Sequence, residues 1–358
     1  MLRLSLCFLA LVLMFLGVVL CDAPLSIPPD NIDPKGYVAY RAKKPIVIDG
    51  KLDDEAWKDA PWSDEFQDIE GTSKPKPRYK TRMKMLWDDD YLYIAAEIED
   101  PHVWATLKQH DSVIFQDNDF EVFLSPDGDS HNYAEMEMNA FNTTWDLLLT
   151  KPYKDGGKAL NGWDVIGLKT GVHVNGTIND SRDRDKGWTV EIAWPMTGLK
   201  ELSRVPVPPR DGDQWRINFS RVEWDINIVD GKYEKVKGKP ENNWVWSPQG
   251  VIDMHRPERW GYVQFSTAAP GTIKFKPDAA LPTKNALHRI YYAQREYYAK
   301  HQKYAASLEE LGVKLPEGIT QKPKFEITTN GYEIHLLQPG TPEKTWTITQ
   351  DARIWASK

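Results

Sequence analysis

Residues 82–98 read Arg-Met-Lys-Met-Leu-Trp-Asp-Asp-Asp-Tyr-Leu-Tyr-Ile-Ala-Ala-Glu-Ile. Apolar and aromatic residues flank the short polar stretch Asp88-Asp89-Asp90, a pattern typical of two β-strands joined by a tight turn. Strand-like stretches of the same kind recur further along the chain, at Phe120–Leu124, Tyr133–Asn139, Trp188–Trp194 and Trp215–Phe219. Clusters of Gly, Asn, Asp and Pro separate them. Many short strands with turns between them predict a mainly β domain, a sandwich or a barrel, over residues 37–266.

The alternation also predicts which side chains form the core. In Tyr133–Asn139, side chains two residues apart share a face, so Ala134, Met136 and Met138 lie together on the apolar side. Three tryptophans are in phase with apolar neighbours in their strands and are predicted to be core residues: Trp188, Trp194 and Trp215.

Near the C-terminus, the spacing of apolar residues changes from that of a strand to that of a helix. Residues 267–284 are predicted to be a linker because they are rich in Ala, Pro and Gly. After them, Leu287, Ile290 and Tyr291 recur at helical spacing, and Asn330-Gly331 is a strong hairpin signal. Residues 285–358 are therefore predicted to form a small α+β module. Its helix and the Tyr304–Leu308 segment resemble the soluble part of type IV pilin-like proteins.

The N-terminus carries an export pattern. Arg3 precedes an apolar run from Leu4 to Leu20, and the chain turns polar at Asp22, which predicts a signal peptide over 1–21 followed by a linker over 22–36. An uncleaved anchor and lipidation of Cys21 are the alternatives. Both cysteines lie in this segment, so the mature protein has no disulfide. We expect a secreted, cell-surface or periplasmic protein with no stable membrane span in its mature form.

The net charge and the absence of known catalytic motifs argue against several classes of function. A net charge of −7 and a pI near 5.7 argue against a nucleic-acid partner, because such a partner is bound by a basic surface. The chain has no phosphate loop, zinc helix or nucleophile elbow. Glu135 and Glu137 are two residues apart on one strand, so their side chains project from the same face about 7 Å apart. Glycosidases place their two catalytic carboxyl groups roughly 5–9.5 Å apart, so this pair is a candidate. Solvated glutamates explain the same pattern, so a binding protein is favoured over an enzyme.

Tryptophans and aspartates mark two further candidate features. Of 15 tryptophans, 13 lie between Trp57 and Trp260, and indole rings stack on the flat faces of sugars. Four of them lie near turns or out of phase and are candidate platforms: Trp104, Trp145, Trp163 and Trp224. Oxygen-rich loops can hold calcium, although turn chemistry favours the same residues. The candidate metal ligands are Asp117, Asp119, Asp127 and Asp129. Structural calcium is the one cofactor that this pattern suggests.

Four motifs, in order, resemble carbohydrate-binding module family 9: Ile48–Trp57, Leu86–Ile94, Asp119–Phe123, and Trp246-Ser-Pro with Pro257–Tyr262. The resemblance covers about residues 37–266. It implies a jelly-roll-like β-sandwich that binds mono- or oligosaccharides, often with structural calcium, and that commonly accompanies polysaccharide hydrolases.

The resemblance also bears on the site. Glu121 matches a ligand-binding Glu of the family, and Asn218 stands where the family has a ligand-binding Gln. The two clamping tryptophan positions fall near Phe115 and near Met254-His255, and Glu137 occupies a ligand-binding Arg position. The aromatic clamp is therefore altered.

Together these observations predict a carbohydrate ligand on one polar, concave sheet face. The predicted binding residues are Phe115, Glu121, Glu135, Glu137, Asn139, Arg216, Asn218 and His255. Three alternatives remain open. They are a glycoside hydrolase acting through Glu121, Glu135 or Glu137, a haem-binding module of the related DOMON-like sandwiches using Met254 or His255, and a purely structural surface protein. The identity of the sugar does not follow from the sequence.

Overall fold

The computed structural model describes residues 25–341 and 343–357. The predicted signal peptide, 1–21, lies outside the described residues, as does the start of the predicted 22–36 linker. Within the described residues, no helix combines the length and the apolar character that crossing a membrane requires.

Fifteen strands and one short helix form the larger, N-terminal unit. The strands are β1 (Gly36–Arg41), β2 (Gln67–Asp68), β3 (Thr81–Trp87), β4 (Tyr91–Glu99), β5 (Asp119–Ser125), β6 (Tyr133–Asn139), β7 (Thr144–Leu149), β8 (Ala159–Leu160), β9 (Lys169–Asn175), β10 (Gly187–Pro195), β11 (Gln214–Glu223), β12 (Ile226–Val229), β13 (Lys232–Lys235), β14 (Asn242–Val245) and β15 (Gly261–Ser266). Helix α1 spans Met196–Lys200. The strands predicted from alternation all form, and Tyr133–Asn139 has the predicted bounds.

The strands follow one continuous hydrogen-bonded path, β8-β7-β6-β5-β11-β15-β1-β3-β4-β10-β9, with β14 added to β11 and β2 to β14. Strand β1 joins the two halves by pairing in parallel with both β15 and β3. Residues from both halves meet in one core cluster, so the sheet curls into two facing layers. The prediction of a mainly β sandwich is confirmed. Strands β12 and β13 form a separate hairpin.

The core consists of the alternate residues that the sequence marked. Met136 and Met138 on β6 belong to the same core cluster as Ile94 on β4, and all three are fully buried. Trp188, Trp194 and Trp215 are at most 2% exposed, as predicted. Truncation of such a residue to alanine typically costs about 3–5 kcal/mol of stability.

The smaller unit consists of two helices and a four-stranded sheet. Its elements are α2 (Leu281–His301), α3 (Leu308–Leu311), β16 (Lys324–Ile327), β17 (Tyr332–Leu337), β18 (Thr345–Thr349) and β19 (Ile354–Ala356). Leu287, Ile290 and Tyr291 on α2 pack on Ile334 and Ile348 of the sheet. The predicted α+β module forms. Its helix begins at Leu281, inside the predicted 267–284 linker, with a proline in its first turn, where no backbone N–H is needed.

The two units share a buried polar interface. Asp155 of the sandwich accepts hydrogen bonds from Tyr291 and from Arg295 on α2. Tyr292 donates to Glu258 and accepts from Arg256, both in the sandwich. The Lys154–Asp155 ion pair beside them is buried as well. Buried charges of this kind are stable only when they are paired, so the interface depends on both units.

Candidate functional site

Strands β5 and β6 carry carboxylates on the face turned away from the core. Phe120, Val122 and Leu124 point inward and are fully buried, so the side chains between them lie on the opposite face. In the antiparallel register, Glu121 pairs with Glu137 and Phe123 with Glu135. Residues directly opposite each other have Cβ atoms about 4.5–5.5 Å apart. The three predicted glutamates therefore meet on one face of the sheet.

Above these glutamates is a cavity of about 280 Å³, which we call the acidic pocket. Its floor includes Glu121, Glu135 and Glu137, and Glu241 and Asp253 contribute further carboxylates at its edge. Aromatic walls complete it: Phe115, Trp145, Tyr153 and His255. Five of the eight predicted binding residues thus line one cavity.

Burial controls the protonation of the pocket floor. Loss of hydration raises the pKa of Glu121 to about 7. The same cause, reinforced by neighbouring carboxylates, raises the pKa values of Glu135 and Glu137 well above the ordinary range. Glu137 also accepts a hydrogen bond from the Phe115 N–H, at 2.8 Å. The floor can therefore offer both carboxyl donors and carboxylate acceptors to a ligand.

His255 is held as a neutral ring in the pocket wall. Its Nδ1 lies 2.9 Å from the Tyr133 hydroxyl, and its ring packs edge-on against Tyr153 with centroids 4.4 Å apart. Burial lowers its pKa to about 4. Tyr153 itself is 46% exposed and leaves an aromatic surface open to solvent beside the pocket.

The loop tryptophans separate into different roles. Trp145 on β7 is half-buried and lines the acidic pocket. Trp104 is 4% exposed. Trp163 is half-buried against the core and donates to Glu201. Trp224 donates to the Phe115 carbonyl, and the ammonium of Lys235 lies over its ring. Of the four candidate platforms, the structure places Trp145 in the pocket.

Three predicted binding residues lie on the same sheet face as the glutamates but are covered by other parts of the chain: Asn218, Arg216 and Asn139. The Asn218 side-chain amide donates to the Ser247 carbonyl and accepts from the Ser247 N–H, both at 3.0 Å. Arg216 donates to the Trp260 carbonyl and stacks on Tyr262. The segment 246–262 thus covers this part of the sheet.

Asn139 is also held by protein groups. Its amide donates to the Leu107 carbonyl and to Asp117. Since Asn139 is fully buried, the structure places it beneath a loop and outside the pocket lining.

The four predicted calcium ligands form two separate groups at opposite ends of β5. Asp117 accepts hydrogen bonds from the N–H groups of Thr106 and Leu107, which makes it an anchor for that loop. Asp127 accepts from the Arg204 N–H, and Asp129 pairs with Arg353 of the C-terminal module. One oxygen of Asp119 instead lies close to oxygens of Glu121 and Glu137. The structure thus does not bring the four aspartates together.

The haem alternative relied on Met254 and His255. The Met254 sulfur lies 3.0 Å from the Gln249 side-chain nitrogen, and the His255 ring is bonded to Tyr133. Both residues are therefore engaged by protein partners.

Sequence reasoning missed Tyr153, Glu241 and Asp253. Tyr153 lies in the loop after β7, and a search for loop aromatics other than tryptophan finds it. Glu241 and Asp253 reach the pocket from loops that only the fold brings to β5 and β6.

Comparison with known proteins gives one family match. The family model described as carbohydrate family 9 binding domain-like matches residues 48–264. No curated protein matches the chain.

The solved structures that are similar to the chain include the following three. A family 9 carbohydrate-binding module from Caldicellulosiruptor kristjanssonii in complex with cellotriose has 18% identity and a TM-score of 0.43, covering 68% of this chain and 100% of that one. The same organism's module in complex with glucose has 17% identity and a TM-score of 0.42, covering 66% and 99%. A putative carbohydrate-binding protein from Bacteroides uniformis has 15% identity and a TM-score of 0.47, covering 65% and 100%.

Proposed function

Because the chain belongs to the carbohydrate family 9 binding domain-like family, we propose that it binds a neutral mono- or oligosaccharide in the acidic pocket. The observation that carries this proposal is the meeting of Glu121, Glu135 and Glu137 with aromatic side chains in one cavity. Sugars present hydroxyls, which bond to carboxyl groups, and flat C–H faces, which pack on aromatic rings.

The lining selects the class of sugar. Its charged groups are carboxyl groups, and no Lys or Arg belongs to the part of the lining that the structure describes. An anionic sugar would bring a further negative charge against them, so neutral sugars are favoured. The volume of about 280 Å³ lies just below the roughly 300–1,000 Å³ that is usual for ligand pockets. The pocket therefore suits a short segment of a glycan.

The test is a glycan array followed by calorimetry with the strongest ligand. Trp145→Ala removes a pocket wall and should weaken binding at least tenfold, because tryptophans in binding sites often contribute more than about 1.4 kcal/mol. Trp163→Ala is the matched control, because Trp163 lies outside the pocket lining. An array without any carbohydrate ligand would overturn the proposal, and equal losses in both variants would move the site elsewhere.

We also propose that the protein is exported and serves as an accessory to carbohydrate degradation. The export pattern around Arg3 and Leu4–Leu20 supports the first part. N-terminal sequencing of the protein from its native host should find a start near Asp22. Intact Met1 on a soluble cytoplasmic product would contradict export.

Glycoside hydrolysis is less well supported by the same pocket. Glycosidases need one carboxyl group as an acid and a second one ionised, which requires environments that push their pKa values apart. Here burial raises the pKa values of all three glutamates, that of Glu121 to about 7 and those of Glu135 and Glu137 well above the ordinary range, so none of them is held fully ionised at neutral pH. Release of reducing ends from the bound glycan, abolished in Glu135→Gln, would establish the hydrolase instead.

A further inference from the structure

Three carboxylates converge at one end of the acidic pocket. One oxygen each of Asp119, Glu121 and Glu137 lies within 4.8 Å of the other two. The three residues are at most 4% exposed. Asp119 and Glu121 lie two apart on β5, and Glu137 is the cross-strand partner of Glu121. The sheet itself therefore fixes their separation.

This cluster lacks a counterion among the described residues. In that part of the chain Asp119, Glu121 and Glu137 make no ion pair, and the His255 ring, 3.9 Å from the neighbouring Glu135, is neutral. Lys235 is near, but its ammonium lies 3.6 Å from the centre of the Trp224 ring and donates to Gln116. Like charges directly opposite each other on a sheet are destabilising, and burial increases the cost.

Two oxygens of the cluster also have no hydrogen-bond partner. Asp119 bonds through Oδ1 to the Val222 N–H, and Glu137 bonds to the Phe115 N–H. The remaining Asp119 Oδ2 and Glu121 Oε2 are buried and unpartnered. Within the described residues, these two oxygens are therefore free to contact a ligand.

We propose that Asp119, Glu121 and Glu137 bind a hard divalent cation of the calcium class, which bridges the protein to sugar hydroxyls in the acidic pocket. Calcium takes oxygen ligands at about 2.3–2.6 Å. Two oxygens that share such an ion lie at most about 5 Å apart, which the cluster satisfies. Three carboxylates leave coordination positions for other oxygens. Because Glu121 and Glu137 also line the pocket, those positions face the proposed ligand.

This site differs from the calcium loops expected from the sequence. It uses Asp119 of the four predicted aspartates and adds two glutamates from the sheet face. Asp117 and Asp127 already accept backbone N–H groups. The bridging role rests on the proposed carbohydrate-binding function, whereas the cation site itself does not.

The first test is calcium titration of the chelator-treated full chain by calorimetry. Wild type should bind calcium, and Asp119→Asn should weaken that binding at least tenfold. Asp127→Asn, in a predicted calcium loop, and Asp164→Asn, in a separate exposed cluster with His110, are matched controls that should retain it. Thermal unfolding of each variant checks folding, and Glu137→Gln replaces Asp119→Asn if that variant fails to fold.

The second test measures binding of the array-selected glycan with calcium and with chelator. We expect a loss of at least tenfold with chelator, restored by calcium. Calcium bound equally by wild type, Asp119→Asn and Glu137→Gln would overturn the site. A glycan affinity that is unchanged by chelator would overturn the bridging role of the cation but leave the proposed function intact. Calcium bound at this site in a chain that binds no glycan would refute the proposed function and the bridge, and would retain the cation site.

Discussion

Replacement of Asn218 by alanine should destabilise the fold without changing the sugar-binding surface. Asn218 is fully buried, and its amide satisfies both the N–H and the carbonyl of Ser247. The truncation leaves two buried backbone groups unpaired. Each such group costs about 1–3 kcal/mol, so we expect a loss of about 3 kcal/mol, or more than a hundredfold in the folding equilibrium.

Urea unfolding followed by fluorescence measures this loss. Asn227→Ala, an exposed asparagine of the β12–β13 hairpin, is the matched control and should change stability by less than about 0.5 kcal/mol. Calorimetry of folded Asn218→Ala should give the wild-type glycan affinity within about twofold, because Ser247 covers the residue. A variant of wild-type stability that loses the glycan would refute this reasoning and place Asn218 in direct contact with ligand.

Three further predictions concern the C-terminal module. Tyr292→Phe should lower the free energy of unfolding by about 1.5–3 kcal/mol, because the hydroxyl bonds to Glu258 and Arg256 in a buried interface; an unchanged urea midpoint would contradict this. Burial lowers the pKa of His288 to about 4, with Glu258 favouring and Lys154 and Arg216 opposing its charge. As the pH falls, His288 is protonated near pH 6.5 in the unfolded chain but only near pH 4 in the folded protein. The free energy of unfolding is therefore highest above pH 6.5 and falls by up to about 3 kcal/mol between pH 6.5 and pH 4. His288→Gln should therefore lose less stability than wild type over that range, and parallel pH profiles would contradict the assignment. Limited proteolysis should cleave within 267–280, and the two fragments should remain associated on gel filtration because of the buried interface; immediate separation would contradict that role.

The sequence predicted strands and core well because both depend on local alternation. Met136 and Met138 must face inward once Tyr133–Asn139 is a strand, whatever the rest of the chain does. The same alternation along β11 correctly predicted that Arg216 and Asn218 lie on the sheet face that carries Glu121.

The alternation of side chains along a strand could not show which part of that face is exposed to solvent. The segment 246–262 reaches Asn218 through backbone bonds to Ser247, and such a contact between residues 29 apart has no periodic signature. The same reason explains why Glu241 and Asp253 were missed. The docking of α2 on Glu258 and Asp155 likewise depends on tertiary contacts that the linker-like composition of 267–284 does not reveal.

A crystal structure of the chain with the glycan selected by the array and with calcium would show directly where the sugar binds. We expect a sugar ring in the acidic pocket, in contact with Trp145 and Tyr153. We also expect a cation held by Asp119, Glu121 and Glu137 beside the sugar hydroxyls. A glycan bound on another surface, with the acidic pocket filled only by water, would contradict the central claim.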